Sequence, residues 1–437
     1  MIKIFKRCYH PGFNLTNKKK LCLPICPNDN ISVYYKPVWG NKIQLIQQNQ
    51  EKKISYKTNK INYYTNKISD FYNNDVIHVP TSHNTPIYTA LNSLRNIKSD
   101  KFIKNLDNSI IDENGVFINT DYNRNKLMTL INYSENEKEK IIIGNAIYGI
   151  FSNFGDSIYI ANDYLDVGRN NIIIANYPDK VSEREIERCR IVAYSLINGN
   201  YPIILDNNIN FEGEANIKYL PAMIYQNNKY YQLCFTYNSS RSSTSCISNI
   251  NKYLEKLELP LLKEIKLTSK KGMENYFYHL DCLLNFYTSN KYQYFTSMDD
   301  FWKNYKKNGT IVIEMNGISN KEKTEKKLNY IFENIIKVQN KDDLLAANIL
   351  MMSNGIVGSN NLSNKYDFEK INRSYFFNHP SVGGGGAHKC CSNIMTKNKE
   401  ISIDEWKSYI KHYDIKVDNN FIDSVKGEIF RIKQYNI

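Results

Sequence analysis

Between residues 75 and 205 the chain alternates short apolar runs with longer amphipathic ones. Residues 76–79, 140–143, 157–160, 171–174 and 202–205 are four-residue clusters dominated by Ile, Val and Leu, the length and composition of buried strands. Helical spacing covers 86–97 and 182–196, the latter opened by Ser182 with Glu185 three residues on, a capping-box arrangement. The rhythm resumes with a strand at 230–237 and a helix at 244–257. A strand at 309–313 precedes a helix at 321–335, and a helix near 342–347 leads into strands at 348–352 and 355–357. Strand pairs intervene between the helices, so the pattern is mixed α/β without the regular alternation of a parallel βαβ sheet. No internal repeat is detectable. Residues 1–75 are polar and rich in Asn, Lys and Tyr, with Pro11, Pro24, Pro27 and Pro37 interrupting any long element. They read as an irregular extension or a small accessory layer. The chain from 402 to 437 reads as a helix plus a short strand.

Composition narrows the class. A chain of 437 residues, 42% hydrophobic and 13% aromatic, holds one large domain or two ordinary ones and is not disordered. No window approaches 18 consecutive apolar residues, so no membrane-spanning helix is expected. Residues 1–7 carry charge with no apolar segment behind them, which predicts no secretory signal and an intracellular, cytoplasmic address. Nine scattered cysteines, an odd number, suit free thiols in a reducing compartment. Cys8, Cys22 and Cys26 with His10 match no familiar zinc spacing, and no metal is expected. The net charge of +13 invites a nucleic-acid reading. The lysines are dispersed among abundant Asn, Ile and Tyr, so the excess reads as solvated surface and nucleic acid is not the expected partner.

Three features carry chemistry. Four glycines, Gly383 to Gly386, lead through Ala387, His388 and Lys389 into Cys390 and Cys391. Glycines let backbone bend tightly or approach a ligand, and flanking cations favour the thiolate, the nucleophilic form of cysteine. A flexible loop with two ordinary thiols is the plainer account. Second, His279 and Asp281 lie two apart; in a strand both would face one way, placing a carboxylate beside a general acid/base. A structural histidine is the plainer account here. Third, Asn162-Asp163 and Glu212-Gly213-Glu214 follow apolar strands. Carboxylates in that setting suit a planar guanidinium, which takes paired charge-assisted hydrogen bonds; singly, each is an ordinary turn residue.

Taken in order, these segments resemble the pentein superfamily of guanidino-modifying enzymes, which includes arginine deiminases, dimethylargininases and amidinotransferases. Asp163 is similar to the acidic residue of the family's first motif, and Arg184 to the arginine after it. Glu212 to Asn216 resembles the Glu-Gly-Gly-Asp-type turn enlarged by one residue. Arg241 resembles the Arg-Thr/Ser step, His279 to Asp281 the His-x-Asp motif, and Asn348 an asparagine before the last module. Gly385 to Cys390 resembles the terminal Gly-Gly-x-x-Cys, also with one extra residue, and its Lys-Cys-Cys-Ser ending is most like dimethylargininases.

The resemblance implies an α/β fold, a five-bladed ββαβ propeller around a narrow channel, spanning 76–401, with extensions at 1–75 and 402–437. It implies Cys390 as nucleophile, His279 as acid/base and Asp281 as a third carboxylate. Asp163 and Glu212 would bind the guanidinium, and Arg241 and Arg184 a substrate carboxylate, with Asn348 nearby. No metal or organic cofactor is needed, and the partner is a small guanidino compound such as arginine or methylated arginine. Hydrolysis and amidino transfer use the same core residues, so both stay open. The family ending favours Cys390 over Cys391. A cysteine peptidase would explain the Cys–His pair but not the ordered acids and arginines. A binding-only scaffold would not need them at all.

Overall fold

A computed structural model of the chain describes residues 19–25, 32–35, 54–73, 76–80, 159–177, 187–206, 209–237, 241, 246–271, 273, 277, 279–288, 291–339, 345–352, 355–359, 362, 374–376 and 387–434. The helix expected at 86–97, the strand at 140–143, the capping box at 182–185 with Arg184, and the glycines 383–386 lie outside them.

The apolar runs form short strands, and five small sheets share one plan: an antiparallel pair, then a third strand parallel to the second. In the first unit Tyr164–Gly168 pairs antiparallel with Asn171–Ile174; helix Glu187–Ile197 then crosses back to Tyr201–Ile203, parallel to Asn171–Ile174. Every residue of Asn171–Ile174 is buried, which is why this strand reads as a continuous apolar run rather than an alternating one. In the second unit Ile217–Gln226 and Lys229–Tyr237 form a hairpin, followed by helix Cys246–Lys256 and strand Leu261–Leu267. Its two turn residues, Asn227 and Asn228, both take positive φ (50° and 58°), the twist a two-residue hairpin demands and asparagine tolerates. The short strand Gln293–Phe295 extends this sheet along Ile217–Gln226.

The third unit consists of Leu284–Tyr287, Thr310–Glu314, helix Lys321–Ile331 and strand Asn334–Val338. The fourth has Leu350–Met352, Gly355–Gly358 and Ser374–Phe376. The fifth joins the two ends of the chain. Asn393–Thr396 pairs antiparallel with Lys19–Ile25, helix Thr58–Phe71 follows, and Val76–Pro80 lies parallel to Lys19–Ile25. Strands Ser32–Tyr35 and Ile54–Lys57 form a separate two-stranded sheet before that helix.

Several expectations need correction. Residues 1–75 are not merely an extension, because Lys19–Ile25 is the middle strand of the fifth sheet, with Leu21, Cys22 and Leu23 buried. The expected helix at 321–335 ends at Ile331, and Ile335 belongs to the next strand. After Ile403–His412 the chain forms a second helix, Asn419–Gln434, not a strand. Its Ile422, Val425 and Ile432 are buried at helical spacing, and it packs on Glu187–Ile197. Trp406 anchors the preceding helix, buried with its indole N–H donating to the Pro202 carbonyl at 3.0 Å. Ile160, expected in a strand, begins a 3-10 turn. Asn348 precedes its strand, which starts at Leu350. No helix among the described residues is long and apolar enough to cross a membrane.

Candidate active site

A short turn precedes the first strand of each unit, and the polar residues singled out in the sequence collect on these turns. Asp163 follows the 3-10 turn Ile160–Asn162 and leads into Tyr164. Glu212 caps the short helix Gly213–Asn216 before Ile217. His279 caps the 3-10 turn Leu280–Cys282, so His279 and Asp281 share a turn rather than one face of a strand. Asn348 stands before Leu350, and Cys390 lies in the turn before Asn393. The adjacent cysteines therefore sit on a turn, not on alternate faces of a strand; the Cys391 N–H donates to the Ala387 carbonyl at 3.1 Å.

Hydrogen bonds link these turns in a ring. Asn162 Nδ2 donates to Glu212 Oε2 at 3.2 Å, and Glu212 Oε2 meets His279 Nε2 at 2.8 Å. Asn348 Nδ2 reaches the Asp281 carbonyl at 3.1 Å and the Cys390 sulfur at 2.9 Å, while its Oδ1 accepts from the Lys389 and Cys390 N–H groups, both at 3.1 Å. The Cys390 carbonyl accepts from the Ala161 N–H at 3.0 Å, which returns the ring to its first member. Gly213 is needed for the closure between the first two turns. Its φ is +53°, and a Cβ there would lie 2.6 Å from the Ala161 carbonyl oxygen and 2.8 Å from the Tyr164 nitrogen.

Glu212, His279, Asp281, Cys390, Arg241, Asp163 and Asn348 are all buried. Burial alone would raise the carboxyl of Glu212, but the Arg241 guanidinium and His279 beside it outweigh that and hold it down at about 2. Arg241 grips Glu212 through Nε on Oε1 and through Nη2 on Oε2, the latter at 3.0 Å. Asp163 receives the Tyr177 hydroxyl at 2.6 Å and faces Arg190 Nη2 at 3.5 Å. Asp281 turns one oxygen to the Cys390 sulfur at 3.4 Å and the other to the Cys282 sulfur at 3.7 Å. The neighbouring Cys390 sulfur, burial and Asp281 together push the Cys282 thiol well up, which keeps it protonated.

The structure thus brings Cys390, Asp281 and Asn348 into direct contact, and Glu212, His279 and Arg241 into a second group. Asp281 joins the two, since its carboxylate lies within 4.8 Å of a His279 ring nitrogen. His279, Asp281 and Cys282 are the described residues that come nearest to a metal-ligand set. His279 is already engaged by Glu212, and the Cys282 proton would have to leave first. Arg190, Tyr177 and Lys218 were not singled out from the sequence. A lysine or arginine inside an otherwise apolar run, as in Ile217–Gln226 or around Arg190 in Glu187–Ile197, was the available signal. Lys218 and Lys389 both face Glu214, at 3.5 Å and 2.9 Å.

No protein-family model matches the chain. No curated protein matches it either. Among solved structures, the product-bound N-terminal domain of ArgZ, an arginine dihydrolase of the cyanobacterial ornithine–ammonia cycle, is 14% identical. That alignment covers 88% of this chain and 100% of that one, with a TM-score of 0.49. The substrate-bound form of the same domain gives 19% identity over 55% and 76% of the two chains, with a TM-score of 0.40. In the apo ArgZ structure the chain spans 32% of its counterpart's length. SxtG, an amidinotransferase of the saxitoxin pathway from Microseira wollei, gives 12% identity over 55% and 71%, with a TM-score of 0.36.

Proposed function

We propose that the chain is a guanidino-group hydrolase, acting on arginine or a methylated arginine through a covalent intermediate on Cys390. The observation that carries this reading is the buried Cys390 sulfur against the Asp281 carboxylate at 3.4 Å, on the same ring of turns as a carboxylate-held His279. In this reading the five units are the blades of one propeller. It runs from Lys19–Ile25 to Asn393–Thr396, with the helices after residue 402 attached to its first blade.

The chemistry follows from the groups present. A guanidinium is a delocalised cation that a buried carboxylate pairs with, and Asp281 offers one beside the sulfur; Asp163 is a second. The Cys390 thiolate attacks the central guanidino carbon and forms a C–S bond. His279 gives a proton to the departing amine, whose C–N bond breaks, leaving an S-alkylated isothiourea on Cys390. His279 then takes one proton from water as its oxygen attacks the same carbon, and the C–S bond breaks while the remaining hydroxyl proton passes to solvent, releasing a neutral ureido product and the thiolate. Glu212 serves here to hold His279 rather than to bind substrate, because His279, Arg241 and Asn162 occupy its oxygens. Arg241, engaged by Glu212, supports that same group. An amine in place of water would make the reaction an amidino transfer.

Incubation with arginine and with N-methylated arginine, followed by assay of ammonia, methylamine and ureido product, tests the reading. Cys390→Ser should abolish turnover with the circular dichroism spectrum unchanged, and Cys391→Ser should keep it. Normal turnover in Cys390→Ser would sink the assignment. Retention of the amidino group on an added amine would identify transfer.

A further inference from the structure

The proposed reaction uses neither Lys218, Glu214 nor the side chain of Lys389, yet all three are held together in the protein interior beside Cys390. Glu214 bridges the two lysines: its Oε2 lies 2.9 Å from Lys389 Nζ and its Oε1 lies 3.5 Å from Lys218 Nζ. Lys389 directly precedes Cys390, and the N–H groups of both residues are fixed on the single oxygen Oδ1 of Asn348. Both lysines are buried. Two ammonium groups share one carboxylate, so the bridge carries one positive charge in excess.

We propose that this Lys218–Glu214–Lys389 bridge is an electrostatic positioning device that holds negative charge on the Cys390 sulfur. The proposal rests on Cys390 being the nucleophile. Its need is visible in the geometry: the Asp281 carboxylate lies 3.4 Å from the sulfur, where it opposes a thiolate. A guanidinium site requires that carboxylate, so its effect on the sulfur has to be offset from elsewhere, and the bridge offers cations on the residue before Cys390 and on Lys218, whose ammonium interacts electrostatically with Cys390. A merely structural account is poor. Lys218 is a buried lysine in the apolar run of Ile217–Gln226, with a long 3.5 Å contact to Glu214, and an apolar side chain would pack there at less cost. The charged and titratable groups that face the bridge include Asp281, Cys390, Cys22, Tyr164 and Tyr219, with Cys282 lying beyond Asp281. Burial and then Lys389 push the Lys218 ammonium down to about 8, against the opposing pull of Glu214, Asp281 and Cys390.

The test is the rate of Cys390 alkylation by iodoacetamide in the full chain, read by mass spectrometry of the Cys390 peptide across neutral to alkaline pH. Lys218→Met should alkylate about tenfold more slowly at neutral pH, and Lys218→Arg should restore the rate. The difference between wild type and Lys218→Met should close as pH rises through about 8, where Lys218 loses its own charge. Lys389→Met should slow alkylation in the same direction, and it carries the test if circular dichroism shows Lys218→Met unfolded. Wild-type rates in the folded Met variants, or an Arg variant as slow as the Met variant, would overturn the proposal. Either result alongside an inactive Cys390→Ser would leave the nucleophile standing, whereas a fully active Cys390→Ser would remove the reading on which the bridge depends.

Discussion

Glu212 is the residue on which most of the buried polar site hangs. Its carboxylate is met by Arg241, His279 and Asn162. Its folded value of about 2 lies below the ordinary 4.5, so it contributes stability that is complete above about 4.5 and lost as pH falls toward 2. The size is on the order of 3 kcal/mol. Glu212→Gln should cost about 3–5 kcal/mol at neutral pH, because it removes the buried negative charge that the Arg241 guanidinium and His279 meet. Thermal midpoints measured against pH should then lack the acid-linked fall that wild type shows between these values. A variant that kept the wild-type midpoint and pH profile would refute the account. At this scale the sequence offers residue types but not partners. Glu212 reads as a substrate carboxylate because acids at strand ends suit a guanidinium, whereas His279 reaches it from the third unit and Arg241 from a loop 29 residues on. Asp163 likewise meets Arg190, which no local spacing marks out.

At the scale of elements, the recurring piece is a tight polar turn followed by a short, buried strand. The strands were legible because burial on both faces turns them into apolar clusters such as Ile172–Ile174 and Ile311–Ile313. The turns were not, since three residues of 3-10 helix at Leu280–Cys282 leave no periodicity to read, and His279 and Asp281 look like alternating strand positions. The end of Lys321–Ile331 was also hidden, because the apolar pair Ile335-Ile336 continues a helical pattern while belonging to the next strand. Gly213 is the most exacting of the turn residues. Gly213→Ala must place a Cβ at positive φ and within 3 Å of the backbone of Ala161 and Tyr164. Strain of this kind is worth about 1–3 kcal/mol before any backbone shift. The expected result is a lower thermal midpoint together with slower alkylation of Cys390, whose carbonyl is bonded to the same Ala161. A melt and an alkylation rate indistinguishable from wild type would show the contact to be slack.

For the whole molecule, the decisive feature is that the last unit takes its central strand from near the beginning of the chain. Lys19–Ile25 fills the gap between Asn393–Thr396 and Val76–Pro80, and it brings Lys19 within 3.0 Å of Asp166 in the first unit. A chain beginning at residue 26 would leave both flanking strands without their partner, one of them starting three residues beyond Cys390. It should lose its cooperative thermal transition and the protection of Cys390 and Cys391 from rapid alkylation. A truncated chain that melts like the full one would show that the strand is dispensable. The polar, proline-broken texture of residues 1–75 concealed this strand, because its apolar core is only Leu21, Cys22 and Leu23 between two prolines and three lysines.

The sequence by itself determined where apolar clusters become strands, where helical spacing becomes helices, and which residues have chemistry to offer: a cysteine among cations, a histidine beside an acid, and acids after strands. These are local properties, carried by side-chain pattern and residue type. Only the tertiary structure decided which groups meet: Cys390 with Asp281 and Asn348, Glu212 with His279 and Arg241, Glu214 between Lys218 and Lys389. Most of these contacts join different units across tens or hundreds of residues, whereas Lys218 lies four residues from Glu214 and Arg241 shares the second unit with Glu212. Their geometry depends on how the five sheets are arranged and on the chain's two ends closing one of them, and neither leaves a mark in the spacing of any single segment.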